Sequence, residues 1–181
     1  MDSFASRIAR AIRLDSAVYE EVEHDSNALS QAMLVVALSS VAAGIGVAPY
    51  LGIAGLFWAL IGAFTGWLFW AAVIYFVGTR LLGTPNTSTN LGELLRVLGF
   101  ASAPGFFRVF GVFTQIQELV FWVTGIWMLV AMVIAVRQAL DFLSTVRAVG
   151  VCVIGWGLQI LIVILLAKIG QVLYGASYPV P

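Results

Sequence analysis

Residues that carry most enzyme chemistry are scarce in this sequence. Its 181 residues include one histidine, His24, and one cysteine, Cys152. They cannot supply a Ser–His pair at bilayer depth, an axial histidine for a haem in the membrane, or a metal-ligating cluster. A disulfide within the chain is excluded, and a single thiol in an apolar run is typical of inert packing. The sequence therefore predicts no catalytic, cofactor-binding or metal-binding residues, and a protein that is not an enzyme.

Charged residues are also scarce. They make up 10% of the chain, against about 25% in an average soluble domain, and 61% of the residues are hydrophobic. This composition predicts a small integral membrane protein with little aqueous domain. Nine basic and nine acidic residues give a formal net charge of zero, so no overall positive field would attract nucleic acid.

The stretch from Gly55 to Gly78 contains no ionisable side chain except the phenol of Tyr75. Its 24 residues exceed the roughly 20 that a helix needs to cross a hydrocarbon core about 30 Å thick. A helix that is apolar on every face must lie in lipid or among similar helices. The chain is therefore predicted to form an all-α integral membrane bundle of five transmembrane helices. The five spans are predicted at about residues 28–48, 52–82, 91–113, 117–136 and 147–173.

The basic residues predict how this bundle is oriented. Seven of the nine lie in the N-terminal segment or in the loops that join spans two to three and four to five. Arg108 and Lys168 lie on the other side. By the positive-inside rule, the N-terminus is cytoplasmic and the C-terminus lies outside, as an odd number of spans requires. The transmembrane domain, about residues 27–174, then separates a cytosolic or interfacial segment at 1–26 from a short outer tail at 175–181.

Proline and capping residues predict where spans end or break. Pro49 and Gly52 indicate a very short turn between spans one and two. Asn90, with Glu93 three residues later, is typical of a capping box and predicts the start of the third span. Pro104 removes a backbone hydrogen bond in the middle of that span, so a kink or break is expected there.

The N-terminal segment contains two short amphipathic helices. In the first, apolar residues at four-residue steps alternate with a basic stripe on another face. The apolar stripe consists of Phe4, Ile8 and Ile12, and the basic stripe of Arg7, Arg10 and Arg13. Two placements remain open: the helix lies in the headgroup layer with its arginines on lipid phosphates, or it packs on the protein's own cytosolic side.

Asp15 is predicted to cap the second short helix. This helix carries an acidic cluster with the single histidine. Glu20 and His24 are four residues apart, as are Glu21 and Asp25. Such spacing can hold a metal ion, but no partner cluster exists elsewhere in the chain, so a solvated helix face is the preferred interpretation.

Three charges are predicted to lie near the outer boundary of the membrane. At about 1.5 Å per helical residue, Arg108 and Lys168 each lie roughly 7–8 Å inside it, and Glu118 lies close to it. Each cation could extend alone to the outer headgroups. Alternatively, Glu118 pairs with one or both and fastens spans three and five to span four.

A second charge cluster is predicted on the cytosolic side, where Arg137 and Asp141 are one helical turn apart and Arg147 is near enough to share the carboxylate. Within the second span, Gly62 and Gly66 form a small-residue strip of the kind that lets membrane helices approach closely. We expect this strip to pack against another helix of the same chain.

Several segments together resemble prokaryotic members of the Yip family, the Ypt-interacting-protein-like five-span membrane proteins. The resemblance covers nearly the whole chain. It rests on Phe4-x-x-Arg-Ile-x-Arg-Ala-Ile-Arg-Leu14, Tyr19-Glu-Glu-Val-Glu-x-Asp25, Gln31-Ala32, Leu95-Arg-Val-Leu-Gly-Phe-Ala-Ser-Ala-Pro104, Ala135-Val-Arg-Gln-Ala-Leu-Asp141, Arg147 and Ile154-Gly-Trp156. The resemblance implies five helices and a cytosolic N-terminus.

The resemblance also bears on partners and location. Eukaryotic relatives act in vesicle traffic with Rab-type GTPases and partner membrane proteins, and they carry a long cytosolic N-terminal region. Only about 27 residues precede the first span here, which counts against a GTPase partner. The protein is expected in the cell membrane, or in an endomembrane if it is eukaryotic. For the prokaryotic branch, the resemblance implies no established activity.

Two functions are consistent with these features. The first is a non-catalytic membrane scaffold or accessory subunit that binds other membrane proteins or lipid. It is favoured by the missing catalytic groups, the small-residue strips and the 12 phenylalanines and 6 tryptophans. The alternative is a small channel or transporter in which the kinked third span lines a path. A continuous polar route past Arg96, Pro104 and Arg108 would favour this alternative.

Overall fold

The computed structural model describes residues 3–85 and 87–177, and within its helices it describes the side chains outside residues 48–56, 59, 163, 166–167 and 169–177. All regular structure in these residues is helical. The α-helices are Phe4–Ile12 (α1), Ser16–His24 (α2), Ala28–Phe76 (α3), Leu91–Phe100 (α4), Gln117–Ala139 (α5) and Thr145–Ser177 (α6). A π-helical turn, Val77–Leu81, extends α3, and a 3₁₀ helix, Ala103–Val112, follows α4.

Long apolar segments dominate the fold. Four of them are long enough to cross a membrane: Ala28–Val47, Leu60–Leu81, Gln117–Ala139 and Thr145–Ile162. A fifth crossing exists if α4 and the 3₁₀ helix, which are bent by 41° relative to each other, form one broken span. The prediction of an all-α membrane bundle is therefore confirmed, with four to five candidate spans. Residues 178–181 of the predicted outer tail lie outside the described residues.

Helix α3 supplies the first two of these segments and must fold back on itself. The indole Nε1 of Trp67 donates a hydrogen bond to the backbone oxygen of Leu95, 3.2 Å away. Ala32 packs directly on Gly99, one turn further along α4. A straight helix would separate Ala32 from Trp67 by about 52 Å, at about 1.5 Å per residue. The two arms of α3 therefore run side by side.

The reversal between the two arms was predicted as a turn at Pro49 and Gly52. Both residues have helical backbone, so no irregular loop interrupts α3 at these positions. Ala43 and Gly62 line the same cavity, and the change of direction therefore lies between them. The expectation of two neighbouring spans agrees with this geometry, whereas the expected loop between them does not.

The third predicted span is broken, as expected, but the break precedes the proline. Helix α4 begins with the predicted capping box, in which Asn90 Oδ1 accepts from the Glu93 backbone N–H at 3.0 Å and Glu93 Oε2 accepts from the Asn90 N–H at 2.9 Å. The helix ends at Phe100. Pro104 then lies in the first turn of the 3₁₀ helix, where its missing N–H leaves no hydrogen bond unmade.

Glycines of the broken span bring it into close contact with its neighbours. A Cβ placed on Gly99 would lie 2.7 Å from the Cβ of Ala32, and one placed on Gly105 would overlap the hydroxyl of Ser39. On Gly111, an added Cβ would lie 2.7 Å from the Phe121 ring. These three glycines follow one another at six-residue steps. They let the first arm of α3, and α5 at Gly111, approach the broken span.

The predicted packing strip at Gly62 and Gly66 behaves differently. Among the described residues, no heavy atom outside the neighbouring backbone lies within 4 Å of a Cβ placed on either glycine. Both residues instead line an open cavity. The predicted packing of this strip against another helix is therefore not seen among the described residues, because the second arm of α3 lies beside a space at this level.

Candidate functional site

Helix α1 packs on the bundle rather than lying flat in the headgroup layer. The Phe4 ring meets the Phe100 ring edge to face, with centroids 6.5 Å apart. The Trp127 indole donates a 3.0 Å hydrogen bond to the backbone oxygen of Ile12. Trp127 lies ten residues after Gln117, the first residue of α5, which is about 15 Å along the helix axis. Of the two placements left open by the sequence, the structure has the helix packed against the protein itself.

Two of the three arginines in the basic stripe of α1 form ion pairs within the protein. Arg7 is only 3% exposed. Its Nε lies 2.9 Å from Glu21 Oε1, and its Nη1 lies 2.8 Å from Asp25 Oδ2 and 3.0 Å from Gln31 Oε1. The guanidinium of Arg7, hydrogen-bonded to Asp25, lowers the pKa of that carboxyl group. Arg7 thus joins α1, the end of α2 and the start of α3.

Arg10 extends this network. Its guanidinium lies 2.8 Å from Asp15 Oδ2 and 2.6 Å from Glu21 Oε2. Asp15 also caps α2, as predicted, because its Oδ1 accepts from the Ala17 backbone N–H at 3.0 Å. The hydrogen bond from Arg10 lowers the pKa of Asp15. Arg7 and Arg10 therefore pair with carboxylates of the protein itself, whereas Arg13 is exposed.

The residues of the acidic cluster of α2 face two different environments. Glu21 and Asp25 face the arginines of α1, whereas Glu20 and His24 are exposed. The Nδ1 of His24 lies 2.9 Å from the Glu20 backbone oxygen and 3.8 Å from its carboxylate. Among residues 3–85 and 87–177, no group of three or more His, Cys, Asp or Glu could hold a metal ion.

A buried acid lies next to this network. Glu23 is 5% exposed, and its Oε2 has no hydrogen-bond partner among the described residues. Burial raises the pKa of Glu23 to about 7, and the nearby carboxylates of Glu20 and Asp141 add to the effect. Arg96 does not neutralise it, since its guanidinium donates to the backbone oxygens of Val22 and Glu23. Glu23 was not among the residues predicted to form a site.

The predicted cytosolic charge cluster does not form. Asp141 makes no ion pair with Arg137 or Arg147 in the described part of the chain. Arg137 Nε instead donates to the Phe142 backbone oxygen at 3.3 Å, and Arg147 lies over the Phe142 ring at 5.7 Å. The physical reason is that α5 ends at Ala139. Asp141 then adopts a left-handed conformation, with φ of 51°, and is not one helical turn beyond Arg137.

The predicted outer cluster does not form either. Arg108 Nε donates to Thr124 Oγ1 at 3.3 Å, and its guanidinium lies 5.4 Å from the centre of the Phe121 ring. Glu118 is exposed and forms no ion pair with Arg108 or Lys168 among the described residues. Because the broken span continues as a 3₁₀ helix, Arg108 faces α5 at the level of Thr124. Thr124 is six residues after Glu118 in α5, so it lies about 9 Å further along that helix.

A cavity of about 430 Å³ lies beside the broken span. We call it the Arg108 cavity, because Arg108 is the one charged residue among the described residues that line it. Both arms of α3, the broken span and α5 contribute to its walls. Its lining residues are Val36, Ser39, Ser40, Ala43, Gly62, Ala63, Gly66, Trp67, Trp70, Leu98, Ser102, Arg108, Met128 and Met132.

A second depression, the α5–α6 groove, has a volume of about 390 Å³. Its lining is apolar apart from Thr145 and the thiol of Cys152, which is 7% exposed. The lining residues are Leu129, Val130, Met132, Val133, Ile134, Thr145, Val149, Cys152, Val153 and Trp156. Met132 lies between this groove and the Arg108 cavity.

Sequence reasoning missed most of the residues that make up the Arg108 cavity. Trp70 was counted only as an apolar residue, although its indole N–H is a donor that needs an acceptor when buried. Neither Ser39 nor Ser40 was predicted to line a cavity. Their adjacent hydroxyls, inside an otherwise apolar run, were the available signal.

Long apolar helices, a broken span and a polar N-terminal hairpin packed on the bundle define a multi-pass integral membrane protein. A family model, the Yip1 domain, matches residues 16–167. The chain therefore belongs to the Yip family, as its sequence motifs suggested. No curated protein and no solved structure matches the chain significantly.

Proposed function

We propose that this protein is a non-catalytic membrane scaffold or accessory subunit that binds other membrane proteins or lipid. The observation that carries this proposal is the α5–α6 groove. Methionine side chains in such a groove adapt to different apolar surfaces, and Trp156 adds a large apolar contact area. A transmembrane helix of a partner protein is the occupant that fits its apolar lining and its position between two candidate spans.

The exposure of the groove residues supports docking of a partner. Val153 is 61% exposed and Val149 is 41% exposed, and both lie on the groove side of α6. Membrane helices associate through van der Waals packing, which requires a surface that the partner can fill. Filling the groove would therefore bring such packing to side chains that the protein itself leaves uncovered.

The alternative function, a small channel or transporter, receives less support. Arg96 is bound to backbone oxygens of α2, and Arg108 lines the cavity. Between them, Val97, Leu98 and Phe100 are at most 2% exposed. A polar path along the broken span would have to pass this apolar segment, which favours the scaffold over a transport role.

Site-specific photocrosslinking in native membranes tests the proposal. A photoreactive phenylalanine analogue at Val153 should form one adduct of discrete mass with a membrane protein. The same probe at Ile154, which is 42% exposed but does not line the groove, is the matched control. Adjacent helical residues point about 100° apart, so only the first probe should meet a docked helix.

A groove-filling variant makes the test specific. With the probe at Val130, the additional change Val153→Trp should abolish the adduct while the protein stays folded by circular dichroism. Equal adducts at Val153 and Ile154, or an adduct that persists after Val153→Trp, would contradict docking in the groove. Adducts with lipid alone at every position would contradict a protein partner.

A further inference from the structure

We propose that the Arg108 cavity is a binding site for a phospholipid with an anionic headgroup. The phosphate would lie on Arg108, and the first part of one acyl chain would lie against Gly62 and Gly66. This inference rests on the lipid arm of the proposed function. It uses a different site from the α5–α6 groove, so a failed lipid-retention experiment can be distinguished from failed docking of a partner helix in the groove.

Arg108 carries a full charge near the end of the broken span, because a guanidinium is always protonated in proteins. Such a charge is costly in the hydrocarbon region unless a polar partner or a headgroup offsets it. No carboxylate pairs with Arg108 among residues 3–85 and 87–177. Its Nε–H is used by Thr124, and its remaining N–H groups can hold phosphate oxygens in a bidentate arrangement.

Trp70 also lines the cavity and is 6% exposed. Its Nε1 is enclosed by protein atoms and has no hydrogen-bond partner among the described residues. The ring carbons opposite the nitrogen pack on Gly155 of α6. The indole therefore contributes apolar wall to the cavity, and Arg108 contributes the donors.

The charge of the lining favours an anion. None of the described residues that line the cavity is acidic, and Arg108 is cationic. The hydroxyls of Ser40 and Ser102 already donate to the backbone oxygens of Val36, at 2.7 Å, and Gly99, at 2.6 Å, so they offer a ligand no donor. A cationic ligand would therefore meet a guanidinium with no described carboxylate beside it, whereas a phosphate would meet the remaining N–H groups of Arg108.

The shape of the cavity favours an amphiphile over a free ion. Its volume of about 430 Å³ falls in the range of about 300–1,000 Å³ that is typical of small-molecule sites. That volume exceeds what one phosphate needs. The remainder is bounded by Gly62, Ala63, Gly66 and methionine side chains, which offer no polar group to water. Since Gly62 is exposed, a lipid could enter sideways from the bilayer.

Lipid retention measured by native mass spectrometry tests the inference. The protein would be released from bilayers of equal phosphatidylglycerol and phosphatidylcholine. We expect one retained phosphatidylglycerol per protein. Arg108→Gln should reduce this retention about tenfold or more, as expected for loss of a charge-assisted hydrogen-bond pair. Gly66→Leu should abolish retention by filling the cavity, because a side chain at this position meets open space.

Two control variants separate the cavity from non-specific lipid contact. Arg80→Gln removes an exposed cation outside the cavity, and Gly157→Leu adds the same side chain at another helical glycine with no atom within 4 Å. Both should retain the lipid. Unchanged retention in Arg108→Gln and Gly66→Leu, or equal loss in the controls, would overturn the proposal. So would occupancy by inorganic phosphate alone in bilayers of pure phosphatidylcholine.

Discussion

Adding one methyl group at Gly99 should weaken the bundle, whereas the same change at Gly66 should not. The new Cβ at residue 99 would lie 2.7 Å from Ala32 Cβ and 3.2 Å from both Ala32 Cα and its backbone oxygen. Carbon atoms in good contact are about 3.5–4.0 Å apart, so α3 and α4 must separate by about 1 Å. Ala32 cannot rotate away, because two of the three crowded atoms belong to its backbone.

The size of this effect follows from comparing the two variants. Replacing glycine by alanine within a helix favours the helix by about 1 kcal/mol in both cases, so this contribution cancels. Overpacking costs about 1–3 kcal/mol and applies only to Gly99→Ala. At about 2–4 °C per kcal/mol for a chain of this size, a middle value of about 2 kcal/mol separates the melting temperatures by about 4–8 °C.

Thermal unfolding in a mild detergent, followed by tryptophan fluorescence, is the assay. Gly66→Ala should melt at or slightly above the wild-type temperature, and Gly99→Ala should melt lowest. In an Ala32→Gly background, which lacks the closest contact, Gly99→Ala should lower the melting temperature less than it does in the wild type. If Gly99→Ala melts no lower than Gly66→Ala, or if its effect is the same in both backgrounds, the close approach of α3 and α4 at this point is refuted.

Three further predictions address other parts of the molecule. Because the pKa of Glu23 is raised to about 7 in the folded protein, the folded state binds more protons than the unfolded state between about pH 4.5 and 7. The free energy of unfolding should therefore fall by up to about 3 kcal/mol as pH rises through this window, and Glu23→Gln should flatten the profile. Arg7→Gln should lower the free energy of unfolding by about 1.5–3 kcal/mol, because it removes the charge-assisted hydrogen bonds to Glu21 and Asp25, whereas Arg13→Gln should leave the melting temperature unchanged. Cysteines placed at 84–90 should be labelled only from the cytosolic side and those at 176–181 only from outside, and the reverse labelling would contradict the predicted orientation.

The structure brings together the segments that the basic residues predict to share one side. Glu20 of α2 lines a crevice with Asp141 and Leu143 of the α5–α6 turn, and Arg96 near the start of α4 binds the end of α2. The N-terminal segment, the start of the broken span and the turn between α5 and α6 therefore meet. That this common side faces the cytoplasm stays a prediction, which the labelling experiment tests.

Sequence reasoning succeeded where the determining interactions are local. The capping box of Asn90 and Glu93 and the cap at Asp15 depend on atoms within three residues, so the residue types alone predicted them. Span length and apolar content likewise depend only on composition within a window. The all-helical membrane class and the family followed from these features and from the motifs.

Tertiary structure decided which partner each polar or small residue meets. Arg7 could face lipid or protein, and only the folded hairpin of α1 and α2 places Glu21 and Asp25 beside it. Asp141 does not meet its expected partners because α5 ends at Ala139. Arg108 does not meet its expected partner because the broken span continues as a 3₁₀ helix.

The same distinction explains the glycines. Gly66 and Gly99 look equally suited to close packing in the sequence, since both lie in apolar helical segments. The sequence determined that each position has no side chain, but the fold decided that Gly99 meets Ala32 and that Gly66 faces a cavity. Periodicity defines the face of one helix, whereas the neighbour of that face depends on how distant segments cross.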